Sequence, residues 1–505
     1  MRDRERQNQV VGARGRILGV AFALIALLHL FRNGSQIADR ELRLDEAWTY
    51  YVAAQPLVSN LTLPISLHAQ PPLYYVALHA LLSVHSAEWF LRGFSWLAIL
   101  GLFGWILFRL TEIGPLARVF LCVVLLFHDV TRYLAQTLRP YALAAVTTFA
   151  ATILFTRLLR RPGRGAAVAY AAAALLSLHT LAFDVWAFFC QGLALAAVVA
   201  WESRAGWRVA LERHAAALLA VAGVALAYVP YLVLVWHWQS GIGRPDVSGS
   251  LDVILHADHL HELGVLLGGL PRWAVWLAIA ALVYGVAAER RLGNSTALLI
   301  AVIAVGQVAF VQGFLYGRGP VADRYYTPVF PLFWFVVAIG FDHLIPRPPR
   351  LLWLASLAAL GGAAWMLAPS FLENLARPIP RSPWRQVRDA LIAMPGRKVV
   401  LFDYGFEAQM LEYEVRNDRD VVVKSRRQTS WKGYPEHIAT ESLRPEDVRA
   451  ALDGERADCF LYFVGRALVD RGPGSPYFSA FVPEMDRRGY KRMPFLDSGH
   501  AFCKP

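Results

Sequence analysis

Arg43-Leu44-Asp45-Glu46-Ala47-Trp48 follows the first long apolar run of the chain, near residues 17–31. Two adjacent carboxylates therefore stand at the start of the loop that leaves a first membrane span. Acids beside a bilayer are costly unless they are solvated, paired or functional. Further along the same loop comes His68-Ala69-Gln70-Pro71-Pro72-Leu73-Tyr74-Tyr75. Its prolines fix φ and set a rigid turn, which suits either aiming His68 and Gln70 at a polar group or anchoring Tyr74 and Tyr75 at headgroup level.

The rest of the chain agrees with a membrane setting. It has 505 residues, of which 56% are hydrophobic and 17% charged, with a mean hydropathy of +0.39. Soluble domains run near 45–50% apolar and about 25% charged. About eleven spans are expected at roughly 17–25 apolar residues per crossing. They lie near 16–32, 89–109, 115–131, 140–158, 166–182, 183–201, 214–236, 271–288, 296–316, 326–345 and 351–369. The first is read as an uncleaved span rather than a signal peptide, since no small-x-small site follows it.

The net charge of +12 does not point to nucleic acid. The arginines fall in short gaps between apolar runs: Arg2, Arg4, Arg6, Arg14 and Arg16, then Arg157, Arg160, Arg161 and Arg164, then Arg204, Arg208 and Arg213. Arg290 and Arg291, and Arg347 and Arg350, complete the series. If every apolar run spans, these gaps share one side, as the positive-inside rule requires. The opposite side then carries the first external loop at 33–88, the turn 129–140, the loop 237–270 and the segment 317–327. Within the first loop, 61–82 is too broken by Pro64, Pro71 and Pro72 to span, and suits short interfacial helices.

After residue 370 the composition becomes that of a soluble domain. Lys398–Phe402, Val421–Val423 and Cys459–Phe463 read as buried strands, alternating with amphipathic stretches at 384–394, 406–415, 444–452 and 477–488. That alternation predicts a small α/β domain. The expected division is a transmembrane module at 1–369 and an extracytoplasmic domain at 370–505. Cys122 and Cys190 lie inside spans as packing residues. Cys459 and Cys503 lie in the outer domain, where an oxidising compartment permits them to pair.

Asp45 and Glu46 carry two readings. A carboxylate at headgroup depth can take a proton from an attacking hydroxyl; an acid in a first helical turn is also favourable through the dipole alone. Arg139-Pro140-Tyr141 and Arg324-Tyr325-Tyr326 each open a span on the outer side, against the charge rule. A guanidinium there can fork a phosphate or simply snorkel to headgroups. His179 sits near the outer end of a span, to touch substrate or another helix. His256-Ala257-Asp258-His259 places two histidines on one helix face without a third and fourth ligand at metal spacing. No nucleotide-binding glycine loop occurs, so a nucleotide-fuelled pump is not expected. The mid-span stretches are nearly pure Leu, Ala, Val and Phe, whereas a transporter or flippase would carry polar groups at mid-depth.

Taken in order, Asp45-Glu46, Gln70-Pro71-Pro72-Leu73-Tyr74-Tyr75, Leu138-Arg139-Pro140-Tyr141-Ala142-Leu143, His179 and Asp323-Arg324-Tyr325-Tyr326-Thr327-Pro328 resemble the bacterial GT-C glycosyltransferases. The nearest branch is the RgtA/B/C/D-like group, related to protein mannosyltransferases and the aminoarabinose transferase of lipid A. The resemblance covers roughly residues 16–345. It implies a GT-C fold with a periplasmic C-terminal domain in the bacterial inner membrane. The implied donor is a polyprenyl-phosphate sugar, and the acceptor a glycolipid, glycan or protein; no cofactor is required. It matches Asp45 to the catalytic base and Glu46 to the second acid. Arg139 and Tyr141 match the Arg-x-Tyr turn, and Arg324 and Tyr325 the Arg-Tyr start of a late span. His68, Gln70, Tyr74 and His179 complete the expected substrate-binding set. The family turn often reads Glu-Ala-Arg-x-Tyr; here Thr137-Leu138 stands in place of Glu-Ala, and the acid is missing.

The topology is checked by cysteine labelling. Cysteines placed at Ser59 and Gly474 should react with an impermeant thiol reagent in intact spheroplasts, and one at Gly163 should not. The reverse pattern would invert the orientation.

Overall fold

The computed structural model describes residues 2–39, 42, 44–239, 272–291, 295–315, 326–344, 361, 383–402, 411, 414–415, 418–425, 452–453, 455–463, 481–495 and 499–505. It divides into two compact units. One comprises Met1–Asp39 and Leu57–Pro378; the other comprises Arg40–Pro56 and Ile379–Pro505. The short helix bearing Asp45 and Glu46 thus groups with the C-terminal residues.

The first unit is helical. Its elements are α1 (Arg2–Asp39), α3 (Leu57–His68), α4 (Leu73–Leu82), α5 (Glu88–Arg109), α6 (Pro115–Phe127), α7 (Asp129–Gln136), α8 (Tyr141–Arg160) and α9 (Arg164–Leu178). They continue with α10 (Val185–Glu202), α11 (Trp207–Gln239), α12 (Arg272–Arg291), α13 (Thr296–Leu315) and α14 (Phe330–Leu344). The missing number, α2 (Leu44–Ala54), belongs to the other unit. Local sequence sets many of these limits. Pro115 occupies the first turn of α6, where its absent N–H would be unbonded anyway. Pro72 stands at the cap of α4. The loop region 61–82 forms two short helices, as its prolines require.

Among the described residues, five helical stretches are long and apolar enough to cross a membrane: Ile17–Gly34, Glu88–Arg109, Tyr141–Arg160, Ala182–Glu202 and Trp207–His237. The expected single span at 115–131 is instead α6 and α7, bent by 68° at His128. The His128 ring explains the break: its Nδ1 accepts from the Val130 amide and caps α7. The expected span at 351–369 and the loop 237–270, with His256 and His259, fall almost wholly outside the described residues.

Helices pack around two apolar clusters. One joins α1, α5, α6, α8 and α14 through Ile99, Phe103, Leu121, Phe149 and Phe335. The other joins α8, α9, α10 and α11 through Phe155, Tyr170, Leu195 and Val224. Where α12 meets α14 the backbones touch: a Cβ on Gly285 would lie 2.7 Å from the Gly340 amide nitrogen. Small residues at such crossings permit close approach in the absence of a hydrophobic driving force. The few polar side chains of the nearly apolar spans meet one another. A buried chain of Tyr170, Gln191, Thr152, Thr148, Ser177 and Asp184 runs between α8, α9 and α10. One or two polar residues per helix, diluted among alanines and leucines, leave hydropathy almost unchanged.

In the second unit, β1 (Lys398–Phe402), β2 (Val421–Ser425), β3 (Cys459–Phe463), β4 (Lys491–Phe495) and β5 (Gly499–Cys503) form one sheet in the order β2-β1-β3-β5-β4. β1 pairs in parallel with β2 and β3, while β3–β5 and β5–β4 are antiparallel. Helices α15 (Pro383–Ala393) and α16 (Val482–Arg487) accompany it. The three parallel strands match the sequence expectation. The antiparallel pair does not follow from it, because the first four residues of β4 are exposed and read as polar loop. Lys491 and Pro494 on that edge discourage further strand pairing. Cys459 and Cys503 stand opposite each other in the β3–β5 register and are disulfide-bonded.

Glu484 in α16 is buried and receives both Arg487, at 2.5 Å, and Arg488, at 2.6 Å. The Arg487 hydrogen bond, reinforced by Arg488, holds its carboxyl below the usual range despite the cost of burial. A depressed folded pKa gives stability that is present above the unfolded value, about 4.3, and lost as pH falls through the folded value. The thermal unfolding midpoint of wild type should therefore fall as pH drops below about 4. Glu484→Gln should start less stable at pH 7 and lose less over the same range. A parallel decline in both proteins would rule out this linkage.

Candidate active site

The Gln70-Pro71-Pro72 turn is built by three helices of the first unit. α3 ends at His68, and Ala69 adopts φ +48°, a left-handed conformation unusual for a residue with a Cβ. It is held there by hydrogen bonds on both sides. The Ala69 amide donates to Ile65 O at 3.1 Å, and the Gln70 amide to Pro64 O at 2.9 Å. The Ala69 carbonyl accepts from the Tyr231 hydroxyl of α11 at 2.5 Å. Beyond the prolines, the Leu73 amide donates to the His179 carbonyl at 3.2 Å. His179 in turn lies edge-on to Tyr228 and Tyr231, with ring centroids 5.5 and 6.2 Å away.

The structure therefore brings together the backbone of the Pro-Pro turn and His179, both singled out from sequence. Tyr228 and Tyr231 were not; they sit in a uniformly apolar helix that reads as a plain span. Tyr74 and Tyr75 are buried at the start of α4. Tyr74 packs edge-on to Tyr75 at 6.1 Å and against Phe94 at 6.0 Å. Gln70 Oε1 is buried without a hydrogen-bond partner among the described residues, so the amide retains an acceptor for a donor group. The His68 side chain lies outside the description.

Arg139 and Tyr141 flank Pro140 at the start of α8. The guanidinium lies over its own turn, 5.6 Å from the Tyr141 ring centre, with Nη2 3.5 Å from the Tyr141 hydroxyl. Stacking of this kind suits Arg rather than Lys. Thr137, in place of the family acid, donates to Tyr133 O at 2.8 Å, while its carbonyl accepts from Ser95 at 2.9 Å. It serves the turn and presents no charge.

Two buried arginines near this region were not singled out from sequence. Arg32, in α1, donates to the carbonyls of Leu126 and His128 at the α6–α7 bend and pairs with Asp129 at 3.3 Å. Asn33 beside it accepts from Gln136 at 3.2 Å. Arg92, in α5, donates to Ile37 O at 3.2 Å and pairs with Glu88 at 3.3 Å. The available signal was a charge at the edge of an apolar run, the same signal that drew attention to Arg139.

In the second unit, Asp45 and Glu46 lie in the first turn of α2. Their backbone is helical. Successive helical side chains diverge by about 100°, so the two acids point apart. Glu46 is buried and Asp45 half-buried. The Thr49 hydroxyl donates to Asp45 O at 2.9 Å, and both acids gain from the helix dipole. Arg324 and Tyr325 lie outside the described residues; Tyr326, next to them, is buried. No group of three or more His, Cys, Asp or Glu side chains suited to a metal is present among the described residues.

Much of the chain resembles solved structures. ArnT from Cupriavidus metallidurans in the apo state superposes with a TM-score of 0.53 at 14% identity, covering 82% of this chain and 86% of that one. The fold is of the GT-C type. ArnT from the same organism bound to undecaprenyl phosphate gives a TM-score of 0.50 at 15% identity, over 79% of this chain and 84% of that one. No protein-family profile matches the chain, and no curated protein sequence matches it.

The Tyr231 hydroxyl is the link from α11 to the strained turn. Tyr231→Phe should keep the edge-on contact with His179 but remove the bond to Ala69 O. A loss of about 1 kcal/mol is expected, seen as a lower unfolding midpoint and faster amide exchange at 69–73. Unchanged exchange there would show that the turn does not depend on this bond.

Proposed function

We propose that this protein is an inverting glycosyltransferase. It moves a sugar from a polyprenyl-phosphate donor to an envelope lipid, glycan or protein on the outer face of the bacterial inner membrane. The observation that carries the reading is the likeness, across most of both chains, to ArnT in a form bound to undecaprenyl phosphate. The donor chemistry fits the residues. Asp45, half-buried in a helical first turn, takes the proton of the acceptor hydroxyl. The hydroxyl oxygen attacks the anomeric carbon as the bond to the phosphate oxygen breaks. Arg139 and Arg324 hold the departing phosphate, an electrostatic contribution greatest in the transition state.

Inversion follows from a single displacement. A retaining route needs a nucleophilic carboxylate and a second carboxyl about 5 Å apart across the sugar. Asp45 and Glu46 diverge on their helix, and Glu46 is buried, so the pair does not suit that role. His68, Gln70, Tyr74, Tyr141, His179 and Tyr325 complete the substrate contacts, with Glu46 supporting Asp45. The reaction as written uses no metal or cofactor. The Cys459–Cys503 disulfide supports an oxidising, periplasmic setting for the C-terminal domain.

The transporter reading draws on the buried polar chain between α8 and α10. It leaves the half-buried acid of α2 and the outward arginines without a purpose.

With purified protein and a defined polyprenyl-phosphate sugar, Asp45→Asn should fold normally and lose about 10²–10⁴-fold in rate. Arg139→Lys keeps the charge but not the fork or the stacking. Its kcat/KM should fall about ten- to hundredfold, as expected for one charge-assisted contact of roughly 1.5–3 kcal/mol. Activity within a few-fold of wild type in both variants would remove the base and the phosphate site together. The acceptor is identified by mass spectrometry of envelope lipids and glycans from a deletion strain.

A further inference from the structure

The buried polar chain of the helix bundle ends in an incomplete group. Tyr170 Oη donates to Gln191 Oε1 at 2.9 Å, and Gln191 Nε2 to Thr152 Oγ1 at 3.2 Å. Thr152 donates to the Thr148 carbonyl at 2.8 Å. The Thr148 and Ser177 hydroxyls lie 2.8 Å apart, and Ser177 Oγ donates to Asp184 Oδ2 at 2.8 Å. A hydroxyl has one proton. Ser177 uses its own on Asp184, so Thr148 donates to Ser177, and the run of donors points at the carboxylate.

Asp184 Oδ1 accepts no hydrogen bond from the described residues. Asp184 is 1% exposed. Its side chain does not cap α10. It borders a small cavity whose other polar walls are Thr148, Ser177 and Gln191, the remainder being alanine, leucine and phenylalanine. The lining contains no basic side chain. A buried carboxylate without a positive partner is strongly disfavoured.

We propose that this cavity binds one sodium ion from solution. The oxygen set decides the class of ligand. Carboxylate, hydroxyl and amide oxygens suit a hard cation and not a transition metal. One carboxylate neutralises one charge; a divalent ion would leave an uncompensated charge inside an apolar bundle. Lone pairs remain for the ion on Asp184 Oδ1, on Thr148 and Ser177 Oγ, and on Gln191 Oε1. The ion would tie α8, α9 and α10 together two residues before His179, whose carbonyl holds the Leu73 amide.

The test uses full-length protein in detergent or nanodiscs, with unfolding midpoints measured in NaCl against choline chloride at equal ionic strength. Sodium should raise the wild-type midpoint saturably, on the order of a few degrees. The rise should vanish in Asp184→Asn and shrink in Thr148→Val. A wild-type midpoint equal in sodium and choline overturns the proposal and needs no variant to read. A midpoint that ignores sodium but follows pH in wild type, and not in Asp184→Asn, assigns the site to a proton and also overturns it. A sodium effect retained in Asp184→Asn places the ion elsewhere, with the same consequence.

Discussion

A polar side chain between membrane helices has no water to fall back on, and every donor and acceptor must be met by the protein itself. That constraint arranges much of the helical unit. The Arg32 guanidinium reaches the carbonyls set free at the α6–α7 bend, so an arginine on one helix completes the break in another. Arg92 does the same for the end of α1 through Ile37 O. The Pro-Pro turn borrows a tyrosine hydroxyl from α11 and a carbonyl from the end of α9. Irregular backbone thus survives at the cost of fixed partners on neighbouring helices.

The same constraint explains what could be read from the chain in advance. Apolar length located most helices, and the Pro71-Pro72 pair located the break between α3 and α4, whereas Pro64 lies inside α3. Runs such as Lys398–Phe402 and Cys459–Phe463 announced buried parallel strands because both faces are covered. β4 stayed hidden because its outward residues carry no apolar alternation. The 68° bend after Phe127 was hidden too, since an apolar run and an amphipathic turn differ little in composition over a few residues.

The candidate site was legible in part. Asp45, Arg139 and His179 stand out because charge or imidazole at the end of a span is unusual. Tyr228, Tyr231, Arg32 and Asp184 act through partners far away in sequence, and spacing alone does not reveal such pairings. Asp45 and Glu46 stand in a first helical turn, the setting in which the dipole alone favours an acid.

α11 has a further consequence. From Trp207 to Trp236, both exposed, a helix rising 1.5 Å per residue covers roughly 44 Å. That is close to a whole bilayer with its headgroups, about 40–45 Å, with an aromatic ring at each end where such rings settle. A helix with both ends anchored answers a thinner bilayer by tilting. Tyr231 lies within two turns of Trp236, so tilt displaces the hydroxyl that holds Ala69 in its left-handed conformation. Bilayer thickness becomes a mechanical input to the turn, and lipid composition a means of shifting it without any ligand.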